Sequence, residues 1–179
     1  MKMYFGEKVC IRAYREADIP KAAAMINDIE LKKYLVTTVP FPTCLWEEEA
    51  WVKSQKSDKN GEYNFAIEDL ETKEYIGGCG IQKVNWLARV ATVGIMIGNK
   101  SYWGKGYGTD AMKLLTRFIF EDMNINKIRL STFSFNERAK KCYEKCGFEV
   151  EGVLKAEIFK EGKYYDEIVM SAFNKGIQK

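Results

Sequence analysis

The sequence predicts an α/β (α+β) fold, a single domain built on a mixed, largely antiparallel sheet flanked by helices. Three observations carry that expectation. The chain has 179 residues, enough for one domain with a sizeable core and no sign of a second. Short runs rich in β-branched and aromatic residues alternate with segments of helical period, with no internal repeat and no low-complexity stretch. A glycine-rich turn, Tyr102 to Asp110, joins the apolar run Val93 to Ile97 to a helical segment at Ala111 to Met123.

Taken in order, Lys8 to Ala13 has the pattern of a strand, and Asp18 with Pro20 just beyond it opens a helix through Met25 and Ile26. A shorter helical piece surrounds Leu31 to Leu35. Val36 to Cys44 carries Pro40 and Pro42 and is expected as a loop before a helix from Leu45 to about Lys56. The polar run Ser57 to Glu62 turns into a strand at Tyr63 to Glu68. Asp69 to Lys73 makes a hairpin into Tyr75 to Val84, and Arg89 to Ile97 returns antiparallel to it. After the glycine turn and its helix come a strand at Lys127 to Phe133 and a helix from Asn136 that Gly147 ends. Glu161-Gly162 joins two last strands, Gly152 to Phe159 and Tyr164 to Phe173.

The turn has the chemistry of an anion site. Glycines at 104, 106 and 108 let the backbone bend and approach a ligand closely, while free N–H groups and the helix dipole favour negative charge. Spacing excludes the two commonest nucleotide motifs. Gly98 is too far from Gly104-Lys105 for a P-loop, and Gly106 offers no hydroxyl to magnesium. A dinucleotide fingerprint needs its third glycine one place later and a carboxylate on the next strand, where Lys127 to Phe133 ends without one.

A second segment, Asn136-Glu137-Arg138-Ala139-Lys140-Lys141-Cys142-Tyr143-Glu144-Lys145-Cys146-Gly147-Phe148, changes the reading. Turn and segment together resemble the GNAT superfamily of acyl-CoA-dependent N-acyltransferases, and more closely its ribosomal-protein N-acetyltransferase branch. That family has an R/Q-x-x-G-x-G/A turn followed, one strand later, by N-x-x-A-x-x-x-Y-x-x-x-G-F, matched here at Asn136, Ala139, Tyr143, Gly147 and Phe148. Trp103 stands where many members have Gln or Arg. The resemblance spans nearly the whole chain and is sharp from Arg89 to Phe148. It implies a single-domain GNAT-like fold and an N-acetyltransferase with acetyl-CoA as cosubstrate.

Composition is compatible with such an enzyme and excludes others. The net charge of +3 is small and dispersed, which argues against nucleic acid. Met1 to Tyr14 holds no long apolar run, so no membrane partner is expected and the localisation expected is cytoplasmic. The chain has no histidine, which rules out His-based triads and Cys/His zinc sites, and no metal is expected. Five cysteines, at 10, 44, 79, 142 and 146, suit reduced core residues better than a disulfide framework. Cys142 and Cys146, a helical turn apart, are small buried side chains on this reading. A homodimer is compatible with all of this.

The resemblance assigns roles. The backbone N–H groups of Gly104, Lys105, Gly106, Tyr107, Gly108 and Thr109 would bind the CoA pyrophosphate, with Thr109 as N-cap and Lys105 adding charge. Met96, Ile97 and Gly98, entering the turn, would hold the pantetheine arm through their backbone, although core packing alone also accounts for Met96 and Ile97. Tyr143 would be the general acid at the departing sulfur, and Asn136 would contact the cofactor arm as well as cap its helix. From its spacing alone Tyr143 is first a core tyrosine on the face shared with Ala139, Cys142 and Cys146, with its hydroxyl satisfied. Relatives often carry a glutamate two residues before Gly94, acting as base; this chain has Thr92 there, and Glu68 is the weaker substitute.

The acceptor, a small-molecule amine such as a polyamine or an aminated antibiotic, or a protein N-terminus, would lie near Tyr34, Phe41 and Trp46 and near Phe159 and Tyr164. The acidic run Glu47 to Glu49 fits a polyamine or a solvated helix start. Two other readings stay open at this point. One is a non-catalytic acyl-CoA-binding protein, favoured by the missing glutamate, and the other an interaction module that binds no CoA.

Overall fold

The computed structural model describes residues 4–35, 37–55 and 62–176. Val36, the end expected for the third helix at Lys56, and all but Glu62 of the expected turn at Ser57 to Glu62 lie outside the described residues. The elements run β1 (Tyr4–Phe5), β2 (Val9–Arg12), α1 (Ile19–Ile26), α2 (Ile29–Leu35), α3 (Leu45–Ser54), β3 (Tyr63–Asp69), β4 (Tyr75–Asn85), β5 (Val90–Ile97), α4 (Tyr107–Arg117), β6 (Lys127–Phe133), α5 (Glu137–Lys145), β7 (Glu149–Lys160) and β8 (Lys163–Phe173). The strands form one sheet in the order β1-β2-β3-β4-β5-β6-β8-β7. Every neighbouring pair is antiparallel except β5 and β6. The expected mixed, largely antiparallel sheet with flanking helices is the fold observed.

Each element has a local cause. α4 buries Ala111, Met112, Leu114 and Leu115 on one stripe, and these join Val9, Ile11, Ile67, Ile81, Ile128 and Met170 of the sheet in the main core. α5 is capped by Asn136, whose Oδ1 accepts the Ala139 N–H at 3.3 Å. It ends where Gly147 takes φ 85° and the Phe148 N–H reaches back to the Tyr143 carbonyl at 3.1 Å. The expected helix to Met123 is α-helical only to Arg117. Phe118–Asp122 is a π turn, and the Met123 N–H bonds five residues back to Phe118 at 3.2 Å.

Two differences lie at the edges. β1, two residues paired to β2, is too short to leave a pattern in sequence. The terminal hairpin is longer than expected, with only Glu161-Gly162 between β7 and β8.

Candidate active site

The central feature is a parting of two strands. β5 and β6 pair only from Val90 to Thr92 against Lys127 to Arg129, although β5 runs on to Ile97 and β6 to Phe133. Beyond Thr92 the backbone of β5 has a partner on one side only, β4. A cavity of about 1020 Å³ opens there. Its wall includes Val93 to Ile97 of β5, Ser131 to Phe133 of β6, the glycines at 104, 106 and 108, and Asn136, Ala139, Cys142 and Tyr143.

The glycine turn leads from β5 to α4 along this cavity. Gly104 and Gly106 have φ of 72° and 90°, and a Cβ on Gly104 would meet nothing within 4 Å. Both therefore need glycine for conformation, and Gly104 borders open space. Gly106 is the residue before the first turn of α4. Among the described residues the first N–H there with an acceptor is that of Asp110, bonded to the Gly106 carbonyl at 3.0 Å. The preceding N–H groups are the free donors a helix start presents to an anion.

Thr109 is not the N-cap. The helix begins two residues ahead of it because Gly106, in the left-handed region, already allows the chain to turn. The Thr109 hydroxyl points sideways and donates to Cys142 Sγ at 3.4 Å. Met96, Ile97, Gly104, Gly106, Gly108, Thr109 and Asn136 all line the cavity, whereas Gly98, Lys105 and Tyr107 lie outside its wall. Gly98 is instead where Met25 packs, its N–H bonded to the Ile76 carbonyl at 2.9 Å. Tyr107 stacks edge-on against Tyr102 at 4.7 Å.

Tyr143 sits on the buried face of α5 with 7% exposure, and its side chain reaches the cavity. Burial, and then the neighbouring thiols of Cys142 and Cys146, push its phenol well above the ordinary tyrosine value. It is therefore a neutral O–H at pH 7, the form that can give a proton. Trp103 anchors the turn through Nε1, which donates to the Ile97 carbonyl at 2.6 Å. The Arg138 guanidinium lies over the Trp103 ring, 3.5 Å from its centre.

Thr92 lines the cavity between buried Ala91 and Val93. Glu68 does not reach it. Its carboxylate is buried and held by Arg12 at 2.5 Å and Arg15 at 2.8 Å, while Asp18 takes the other edge of Arg12 at 2.7 and 2.9 Å. Among the described residues no Asp or Glu lines the cavity. A carboxylate that sequence reasoning missed, Glu167 of β8, accepts from the hydroxyl of cavity-lining Ser131. With Thr92 and Arg129 it also borders a smaller depression. Only the β6–β8 register, Ser131 near Glu167, brings it there, and no local pattern signals that pairing.

The aromatic residues divide in the same way. Tyr34 lines the cavity. Phe41, Trp46, Phe159 and Tyr164 are between 56% and 79% exposed and lie outside its wall. In their place stand Tyr14, Trp51 and Phe133, with the amides of Asn64 and Gln82. Tyr14 and Trp51 meet edge to face at 5.2 Å. Gln82 is the extra residue at an irregularity in the β4–β5 register. Glu47 is used as a cap, accepting the Cys44 N–H at 2.8 Å, and Glu49 pairs with Lys53 at 2.5 Å.

No helix among the described residues is long and apolar enough to cross a membrane. Comparison with known proteins gives the architecture a family. A family model described as an acetyltransferase (GNAT) domain matches residues 8–149. An uncharacterized N-acetyltransferase of Bacillus licheniformis is 26% identical over 172 residues, 96% of this chain and 96% of that one. The spermidine N(1)-acetyltransferase of Vibrio cholerae is 34% identical over 107 residues, 60% of this chain and 61% of that one. The crystal structure of spermidine N-acetyltransferase from Vibrio cholerae in complex with CoA and spermine superposes with a TM-score of 0.82 at 28% identity. That match covers 93% of this chain and 95% of the other. Domain match, full-length relative and shared architecture agree that the chain belongs to the GNAT acetyltransferase family and is an N-acetyltransferase.

Proposed function

We propose that the protein moves the acetyl group of acetyl-CoA to a primary amine, a small amine or a protein N-terminus, by direct attack in a complex that holds both substrates. The observation that carries this reading is the cavity between the parted ends of β5 and β6, where the glycine turn, Asn136 and Tyr143 meet. Free N–H groups at the start of α4 suit the pyrophosphate, and Gly104 leaves room for it. The one-sided backbone of Val93 to Ile97 suits the amides of the pantetheine arm. The relative of known structure was solved with CoA and spermine, which supports a small amine as acceptor.

The residues divide three tasks. The turn binds the phosphates. Tyr143, neutral at pH 7, gives its proton to the departing sulfur. The incoming amine, an ammonium with a pKa of ~10 in water, must first lose a proton. Ser131, hydrogen-bonded to Glu167, offers the proton a path from the cavity to a carboxylate.

Calorimetry with acetyl-CoA, followed by thiol release with monoamines, polyamines and peptides bearing free N-termini, tests the reading. Binding together with acetylated product from at least one class is the expected result. Binding with no thiol release from any class would leave a CoA-binding protein without catalysis.

A further inference from the structure

We propose that the acceptor is an amine with a single positive charge on an uncharged, ring-bearing body, and that Tyr14, Trp51, Asn64 and Gln82 select it against polyamines. The proposal names the substrate class of the site above and rests on the acetyl-transfer reading. The cavity reaches both faces of the sheet. Cys79 and Ile81 of β4 belong to the main core with Ala111 and Leu115 of α4. Gly78 and Gly80, alternating with them, therefore lie on the opposite face, where Tyr14 and Met25 pack on Ala22, Ala66 and Tyr75. Gly80 stands between Asn64 of β3 and Gly94 of β5, and all of these glycines line the cavity.

These three glycines serve space rather than conformation, since none has a positive φ. A Cβ on Gly78 would lie 2.2 Å from the Tyr14 hydroxyl oxygen, one on Gly80 2.4 Å from Asn64 Oδ1, and one on Gly94 2.8 Å from Gln82 Nε2. Glycine thus lets three neutral polar groups rest directly on the sheet. Asn64 Nδ2 is spent on Gln55 Oε1 at 2.9 Å, and among the described residues nothing donates to its Oδ1. Above this floor Trp51 lines the cavity with 42% of its surface exposed, met by Tyr14 edge to face at 5.2 Å. An uncovered indole on a cavity wall is a surface for a second ring.

Charge points the same way. The charged side chains on the wall, Arg138, Lys141 and Lys145, are all cations of α5, suited to the cofactor phosphates. The reacting ammonium loses its charge before attack, so neutral acceptors suffice for it. The remaining ammonium groups of a polyamine keep theirs, and among the described residues no carboxylate on the wall offsets their desolvation. Glu48 of α3 does not line the cavity, while Glu47 caps its helix and Glu49 pairs with Lys53.

The test compares kcat/KM for phenethylamine, butylamine, spermidine and a tripeptide with a free N-terminus, by thiol release from acetyl-CoA with the full chain. Phenethylamine is expected to exceed each of the others by about tenfold or more. Trp51→Ala should lower its kcat/KM about fivefold or more while the affinity for acetyl-CoA holds. Gln82→Glu changes an exposed side chain of the same shape and adds the missing carboxylate, so it should raise the ratio of spermidine to phenethylamine about tenfold. Spermidine, butylamine or the peptide matching phenethylamine, or a ratio that Gln82→Glu leaves unmoved, would overturn the proposal. If no amine releases thiol, acetyl transfer itself fails, while the order in which the same amines bind the protein–CoA complex in calorimetry still decides which class the cavity takes.

Discussion

At Gly106 the backbone takes φ 90°, and the nearest atom to an added Cβ is Lys8 Cε at 3.7 Å. A side chain there is blocked by conformation and by ligand rather than by protein. Gly106→Val should cost ~1–2 kcal/mol in the left-handed region and weaken acetyl-CoA binding about tenfold or more, read by calorimetry. Unchanged affinity would take the phosphates away from this turn. At Tyr143 the informative change is smaller. Tyr143→Phe keeps the packing against Phe148, 6.0 Å between ring centres, and removes only the hydroxyl. Acetyl-CoA affinity should hold while turnover falls about 10²-fold; wild-type turnover on a verified acceptor would make Tyr143 a core residue. The sequence placed both positions on the cavity wall because each belongs to a short pattern whose geometry is local. The capping role expected for Thr109 failed because the helix already starts at Tyr107, behind Gly106. The Thr109 hydroxyl is claimed by Cys142, thirty-three residues away, and spacing along the chain cannot show that.

At the scale of elements, β5 decides what Thr92 can do. Thr92, half-buried between buried Ala91 and Val93, lines the cavity, so a larger polar side chain there has the cavity to enter. Thr92→Glu should therefore fold. A carboxylate there should preserve or raise activity and move the rising limb of the pH profile downward, because it accepts a proton where water does so poorly. An unaltered profile would place the base elsewhere, with Glu167→Gln the next variant to assay. α3 supplies a second case. Glu48 is half-buried on the helix face that also carries Trp51 and Val52, and burial raises its carboxyl above the ordinary value. The native state then holds its proton to higher pH than the unfolded chain does, so stability falls as pH rises through that window. Glu48→Gln should raise the thermal midpoint at pH 7 by roughly 1–3 °C and leave it unchanged near pH ~4, where the native carboxyl is already neutral. An equal gain at both pH values would assign the effect to packing.

The molecule as a whole explains why the order of elements was legible and the site only half so. Strands and helices follow from periods of two and 3.6 residues, which any short window contains. The cavity follows from where β5 and β6 stop pairing, and its far wall from contacts such as Tyr14 with Trp51 of α3. The family resemblance thus pointed to the region of Phe41 and Trp46, which the fold leaves exposed. Glu68 shows the same limit, since a carboxylate at a strand end looks available until β2 is seen beside it, Cys10 opposite Glu68 and Arg12 opposite Ala66. Arg12 and Glu68 side chains are 3% and 6% exposed, and an uncompensated buried guanidinium is costly. Glu68→Gln should lower stability to urea by about 3 kcal/mol, the low end for breaking a buried pair because Asp18 still holds the other edge of Arg12. Turnover per folded molecule and its pH dependence should not change. If stability holds while the rising limb of the pH profile shifts, the ion cluster is not what Glu68 serves, and its carboxylate belongs to the proton path of the reaction.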